Sequence, residues 1–371
     1  TTNATAVESA TSLIGVKLVP AQFGQYANLY PNTYGPNEVG TGTQNAYQLF
    51  GTGSPILSEH GVLSQRAQAN GWGDDSTSVT MTNAAAGRIN ILATATATNP
   101  AGNAVAYNTA AGLIVQGTQA NGTGNDTSTA LLTNLGRIGV DVRSTASATD
   151  GDSRAVSTVT NATQQTAEVT GPTKYALDPG GGTGGGGTGG TPTALAEEGS
   201  EPTFGYYTNI GELSFVNGAT GVVDIRSSAT GSAVNGASEA HSYVDAGVQQ
   251  SAQVDGGTPL ASFDNRNQFN VTTTSVATGV DGAFATAGTA GLLLDVGFPV
   301  DEGRLPTAHD VVGVSQVLLG KTTNARFANT GLIGVTASAT ANGGSGGAGA
   351  LASAAGYRVT GAPVGVTVTT G

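Results

Sequence analysis

The chain has no cysteine among its 371 residues, which excludes a disulfide framework, a thiolate metal site and a cysteine nucleophile. Charged residues make up only 10%, where about 25% is usual for a soluble domain. With three lysines (Lys17, Lys174, Lys321), 13 basic against 25 acidic side chains and a net charge of −12, the chain cannot neutralise a run of phosphates. Nucleic-acid binding and docking to an anionic membrane surface are excluded on that ground. Aromatics are 5%, with one tryptophan (Trp72) and one methionine (Met81), so a thick aromatic core is excluded too. No apolar run approaches the length that crosses a bilayer, and the first residues lack the basic-then-apolar pattern of a leader peptide. These absences, on a background of Thr, Asn, Gly and Ala, lead us to expect an extracellular or cell-surface protein, present after removal of a signal peptide and without membrane insertion.

What is abundant is small and repeated. Residues 140–149 read VDVRSTASAT and 223–232 read VDIRSSATGS, while AVSTVTNATQQTAEVTG at 155–171 matches AHSYVDAGVQQSAQVDG at 240–256, an offset of about 83 to 85 residues. Weaker copies lie at 87–116, 269–296 and 331–359. Each copy has an outgoing arm, a turn and a returning arm. Larger apolar residues alternate first (Ile138, Val140, Val142), then Ala alternates with Thr or Ser (Ala93, Ala95, Ala97 with Thr94, Thr96, Thr98). A period of two with β-branched residues is a strand signal. The turns at 99–103, 150–153, 234–236, 280–282 and 342–344 hold the residues that tolerate positive φ.

This grammar predicts an all-β fold of repeated antiparallel β-hairpins forming a sandwich or solenoid-like stack, with little helix. Short helices are expected only around 56–69 and 310–319. The small Ala and Ser faces let a second sheet approach closely, so stacked sheets or stacked subunits follow. Along the chain we expect an N-terminal strand or arm (1–19), an irregular aromatic-containing segment (20–82), hairpin repeats (83–178), a Gly-rich linker or inserted loop (179–193), further hairpin repeats (194–361) and a C-terminal strand (362–371).

Chemistry-bearing motifs are sparse. GVSQVLLGKT at 313–322 ends like a phosphate loop, but six residues separate its glycines where four are needed, and a strand followed by a turn accounts for it. GGSGG at 343–347 matches the pattern around a nucleophilic serine, yet it sits at a low-complexity turn that cannot supply the strand and helix such a serine needs. His60, His241 and His309 form no pair at metal-ligand spacing, and the repeat aligns His241 with Val156, as for a tolerated strand residue. No enzyme and no cofactor is expected, and Ca²⁺ at the acidic turns Asp74–Asp75 or Asp150–Asp152 is the one metal considered. The recurring Gln164–Gln165 and Gln249–Gln250 leave two readings open, a hydrogen-bonded ladder or a solvated strand face.

In this style of repeat, residues 87–361 resemble the Ala-, Thr-, Gly- and Val-rich β-repeat surface proteins of bacteria: fibre subunits, S-layer-type proteins and holdfast-anchor proteins. The resemblance implies an extracellular filament, pilus-like fibre or surface layer in which copies of the chain associate through strand and sheet contacts. Alternating residues of the terminal strands, Ile14, Val16 and Leu18 with Val364, Val366 and Val368, are the subunit-contact candidates. The other reading is a surface adhesin that binds glycans through Tyr26, Tyr30 and Tyr34.

Overall fold

The computed structural model describes residues 74–100, 102–122, 124–171, 208–288 and 311–361. It also describes the strands Asn3–Thr11, Asn28–Leu29, Tyr47–Leu49, Leu63–Ala69, Lys174–Ala176, Phe204–Tyr206 and Gly365–Thr370. The described residues contain strands and no helix, so the all-β expectation holds. The two short helices expected around 56–69 and 310–319 are replaced by the strands Leu63–Ala69 and Val311–Leu319. In the first, Leu63, Gln65, Ala67 and Ala69 alternate inward with period two.

The arms are not hairpins. Each coil of the chain runs through four strands that belong to four different sheets, and each strand hydrogen-bonds its counterpart in the coils before and after it. The second coil is typical: Ile114–Ala120 lies in the first sheet, Thr127–Asn134 in the second, Arg137–Ala148 in the third and Ser153–Thr160 in the fourth. Pairing between coils is parallel and in register, for example Val140 with Ile91 on one side and Ile225 on the other. The outgoing and returning arms therefore form a β-arch, in which two strands stack through their side chains instead of pairing through their backbones. Alternation with Gly- and Asn-rich turns is common to hairpins and arches, and this is why the antiparallel expectation fails. The pairing of Asn3–Thr11 with Arg88–Asn99 is antiparallel and lies at the N-terminal edge of the third sheet.

A coil without an insertion takes 45 to 51 residues, as the separations of stacked residues show. The offset of 85 in the sequence repeat is one coil lengthened by an insertion. That insertion leaves the first sheet after Val169 and rejoins at Ile210, and the antiparallel pair Lys174–Ala176 and Phe204–Tyr206 closes its base. The Gly-rich tract 179–192 falls inside it, and the sheets run in register across it (Arg137 with Val222), as for an inserted loop.

Three kinds of layer fill the interior. Ile89, Ile138, Val140, Val223, Ile225, Phe215, Phe263 and Phe269 belong to the main apolar cluster. Phe215 stacks on Phe263 at 5.4 Å between centroids, and Phe263 on Phe327 at 5.3 Å, one ring per coil. Between the third and fourth sheets the buried apolar cluster is alanine, among them Ala95, Ala97, Ala146, Ala155, Ala240 and Ala285, alongside buried hydrogen-bonded serines such as Ser144, Ser157 and Ser227. Such a thin layer is how a chain so poor in large side chains still closes its core.

The third layer is polar. Gln116 Nε2 donates to Gln65 Oε1 at 2.7 Å, Gln165 to Gln116 at 2.8 Å, Gln250 to Gln165 at 2.8 Å and Gln316 to Gln250 at 2.7 Å. The second amide hydrogen of each crosses to a carbonyl of the second sheet, such as Leu131, Ser214 or Ser262. Of each glutamine pair seen in the sequence, one member (Gln165, Gln250) is fully buried in this ladder, while Gln164 and Gln249 alternate to the outer side. A parallel ladder runs where the second sheet turns into the third: Asn83, Asn134, Asn217, Asn265 and Asn329 are linked at 2.7 to 2.8 Å. The backbone passes so close there that a Cβ on Gly221 would lie 2.3 Å from Asn134 O and Asn217 Oδ1. In-register amide stacking satisfies each buried group in turn, as burial requires.

Candidate functional site

The outward face of the fourth sheet departs from the pattern of the rest. Outward side chains of a solenoid are normally solvated, but every residue of Ser238–Val244 is buried. The register brings these outward side chains together. Arg154 pairs with Glu239, Glu239 with Phe284, His241 with Thr286 and Tyr243 with Gly288. Arg154 Nε lies 3.3 Å from Glu239 Oε2, and its guanidinium sits over the Tyr107 ring at 5.7 Å. His241 Nε2 faces the same carboxylate oxygen at 3.5 Å. The His241 and Tyr243 rings are parallel, 6.3 Å apart, and Phe284 tilts against His241 at 6.0 Å.

Burial pushes the Glu239 carboxyl up, but the hydrogen bond and charge of His241 and the charge of Arg154 outweigh it and hold the carboxyl below its ordinary range. Glu239 is therefore ionised at neutral pH, and Arg154 balances it. Burial raises the Tyr243 hydroxyl well above its ordinary value, so it stays protonated. Three buried polar atoms on this face have no hydrogen-bond partner: His241 Nδ1, Tyr243 OH and Thr286 Oγ1, on residues 5%, 4% and 0% exposed.

A second feature is the difference between the two ends of the stack. At the N-terminal end, the edge of the third sheet is paired with Asn3–Thr11 and that of the first with Asn28–Leu29 and Tyr47–Leu49, while Ser76–Asn83 and Ala104–Ala111 are the last strands of the second and fourth sheets among the described residues. At the other end, Leu332–Gly343, Ala348–Ala352, Ala354–Gly361 and Gly365–Thr370 are each the last strand of their sheet among the described residues. The core is laid open there: Ile333, Val335, Ala337, Ala339 and Ala341 occupy inward positions yet are only partly buried, and Leu332 is 62% exposed.

The residues singled out in the sequence scatter. Val366 and Val368 lie in Gly365–Thr370, which pairs parallel with Asn324–Asn329 of the same chain through Ala325 and Phe327. Their strand thus completes this chain's second sheet. Val364, Ile14, Val16, Leu18, Tyr26, Tyr30, Tyr34, His60 and His309 lie outside the described residues. His241 does align with Val156, as the repeat suggested. Its environment was missed because Glu239 and Arg154 reach it from the neighbouring column of the sheet, a relation that a single repeat offset of 85 already contained. Ser345 lies in an exposed turn, its hydroxyl 3.4 Å from Val280 O, and the phosphate-loop-like segment is a strand and turn.

The acidic turns use their oxygens on the neighbouring coil. Asp74 Oδ1 accepts from Asn125 N at 2.7 Å, Asp126 Oδ1 from Asp75 N at 2.9 Å and Asp152 Oδ1 from Ala237 N at 2.9 Å. Burial raises the Asp126 carboxyl above its ordinary value despite the backbone donors of Asp75 and Gly122. Among the described residues no group of three or more His, Asp or Glu could hold a metal ion. No described helix is long and apolar enough to cross a membrane. No family model, curated protein or solved structure matches the chain.

Proposed function

We propose that the protein is a structural subunit of an extracellular filament, fibre or surface layer, whose copies associate through the strand edges at the C-terminal end of the stack. The observation that carries this reading is the C-terminal end of the stack, where among the described residues all four sheets finish in unpaired strands over a half-open core, whereas two of the four edges are paired at the other end. Unpaired parallel edges are templates for further strands, and natural proteins cover them unless they are used. In-register stacking inside the chain supplies the geometry that a second copy would continue, and its mechanism is association without turnover.

The test is sedimentation and negative-stain electron microscopy of the full chain over a range of concentrations. Wild type is expected to form end-linked particles. Ala337→Lys, which places a charge on the open end, is expected to leave monomers with an unchanged far-UV circular dichroism spectrum. Wild type that remains monomeric at every concentration refutes the proposal.

A further inference from the structure

An asparagine followed by glycine can lose its side-chain amide without any enzyme, because glycine puts no side chain in the way of attack by its own backbone nitrogen. Four such pairs lie among the described residues: Asn121–Gly122, Asn217–Gly218, Asn235–Gly236 and Asn342–Gly343. A fifth, Asn70–Gly71, lies outside them. The reaction needs a glycine N that no acceptor holds and an asparagine Cγ within its reach. It also needs an asparagine ψ that can leave the extended region, so that a five-membered ring can close. The fold grants these conditions unevenly.

At Asn217 the amide is buried and fully engaged. Its Nδ2 donates to Asn265 Oδ1 at 2.7 Å and to Gln268 O at 2.9 Å, its Oδ1 accepts from Asn134, and Gly218 N donates to Asn134 O at 2.8 Å. At Asn121, Gly122 N donates to Asp126 Oδ2 at 2.8 Å, and the side-chain oxygen accepts from Thr170 Oγ1. Asn342 stands in the paired strand Leu332–Gly343, and just beyond it Gly344 N donates to Gly279 O at 3.0 Å, so pairing on both sides of the residue holds it extended. Asn235 is different. It is exposed and lies in the arch between Val222–Ala233 and Ser238–Val244, outside both strands. Among the described residues no acceptor holds Gly236 N. The side chain makes one hydrogen bond, from Nδ2 to Asp150 Oδ1 at 2.8 Å.

We propose that Asn235 is a site of spontaneous deamidation. Gly236 N, its proton taken by hydroxide, attacks Asn235 Cγ. The new C–N bond closes an imide, the Cγ–Nδ2 bond breaks, and the nitrogen leaves as ammonia with protons from water. A second water opens the imide at either carbonyl, giving aspartate or isoaspartate with no oxidant or reductant. The product adds one negative charge to the net −12. It also replaces the donor to Asp150 by a carboxylate, with Asp281 following on the next coil, its N donating to Gly236 O at 3.2 Å. The site lies at an arch tip and not on the open strand edges, so it holds whether or not copies assemble.

The experiment incubates the full chain in neutral and in mildly alkaline buffer, with a parallel sample in denaturant, and follows each Asn–Gly pair with time by peptide mass mapping. In the native chain Asn235 is expected to convert about tenfold or more faster than Asn121, Asn217 and Asn342, which react only through local opening. Its rate should rise with pH, because the attacking nitrogen must first lose its proton. In denaturant the four should convert at similar rates. Asn235→Gln, whose longer side chain would have to close a six-membered ring, should remove the first acidic isoform on isoelectric focusing while keeping the far-UV circular dichroism spectrum of wild type. The proposal is overturned if native Asn235 keeps its amide over the time in which the denatured chain loses it, if any of the other three converts as fast in the native chain, or if the rate at Asn235 does not rise with pH.

Discussion

Replacing Gln165 by leucine should destabilise the stack by about 2 to 4 kcal/mol, although leucine is the more apolar side chain and the position is fully buried. The reason is the direction of the ladder. Every Nε2 donates toward the preceding coil, so each Oε1 depends on the glutamine that follows it. Without Gln165, the Oε1 of Gln116 is left buried with no donor, at a cost of about 1 to 3 kcal/mol, and roughly one further kcal/mol of net hydrogen bonding is lost. Gln250 is spared, because its amide still reaches Ser262 O at 2.9 Å. Gln65→Leu at the head of the ladder is different. It strands no oxygen of the ladder, since Gln116 Nε2 keeps Leu131 O at 2.9 Å, and about 1 kcal/mol or less should be lost. Extending the deletion to Gln116, Gln165 and Gln250 together again strands a single oxygen, that of Gln65, so the triple variant should cost far less than three times the single one. Because stacked coils can unfold piecemeal, the comparison is best made by native-state hydrogen exchange of the strands on either side, alongside Tm. If Gln165→Leu proves as stable as Gln65→Leu, the directional ladder is refuted.

Gly221→Ala should lower Tm sharply, since the added Cβ would lie 2.3 Å from both Asn134 O and Asn217 Oδ1, a contact that must push the asparagine ladder apart. A compensating Asn217→Ala should not restore stability, because the clash with Asn134 O remains and Asn265 Oδ1 loses its donor; recovery to wild-type Tm in the pair would overturn that account. Tyr357 closes the glutamine ladder by donating to Gln316 Oε1 at 2.7 Å, and burial pushes its hydroxyl up to about 12 from 10.0. The unfolded chain therefore loses this proton first, and stability should fall as pH rises from about 10 to about 12. Alkaline unfolding curves of Tyr357→Phe should be flatter over that window while its stability at neutral pH is lower by about 1 to 3 kcal/mol; parallel curves for the two proteins would contradict it.

Much of the fold was legible in strand alternation and in the Gly- and Asn-rich turns, and the sequence places the turns at 99–103, 150–153 and 280–282 where arches occur. The arrangement of the arms was not, because the same one-sided alternation serves a hairpin on a sandwich and an arch in a solenoid. The deciding sign was the recurrence of identical residues at equal positions, such as Asn134 with Asn217 or Phe215 with Phe263, which only in-register parallel stacking makes useful. It was blurred by the inserted segment, which turns a coil of 49 residues into an offset of 85 between the two best copies. Gln65, Gln116 and Gln316 stand outside any doubled glutamine and fall at different offsets, so the full ladder could not be read from the two pairs. The repeated DVR and DIR, by contrast, become outward pairs of Asp with Arg two residues on, as in Asp224 with Arg226 at 2.7 Å.

The ladders also explain where this chain tolerates extra length. An amide ladder works only while each coil presents its Gln and Asn at one height, so an added residue inside a strand would turn the whole inward set outward. An insertion at a corner leaves every strand in place. The segment between Val169 and Ile210 enters at one corner and that between Gly288 and Val311 at another, and on both sides the register resumes: Gln250 with Gln165 across the first, Gln316 with Gln250 across the second. The buried glutamines and asparagines thus act as a ruler that apolar residues alone could not provide, since a core of alanine offers little to distinguish one register from the next. In a chain with so few large side chains, the polar ladders carry the specificity of the stack, while the alanine cluster and the main cluster of Ile, Val, Leu and Phe supply its apolar core.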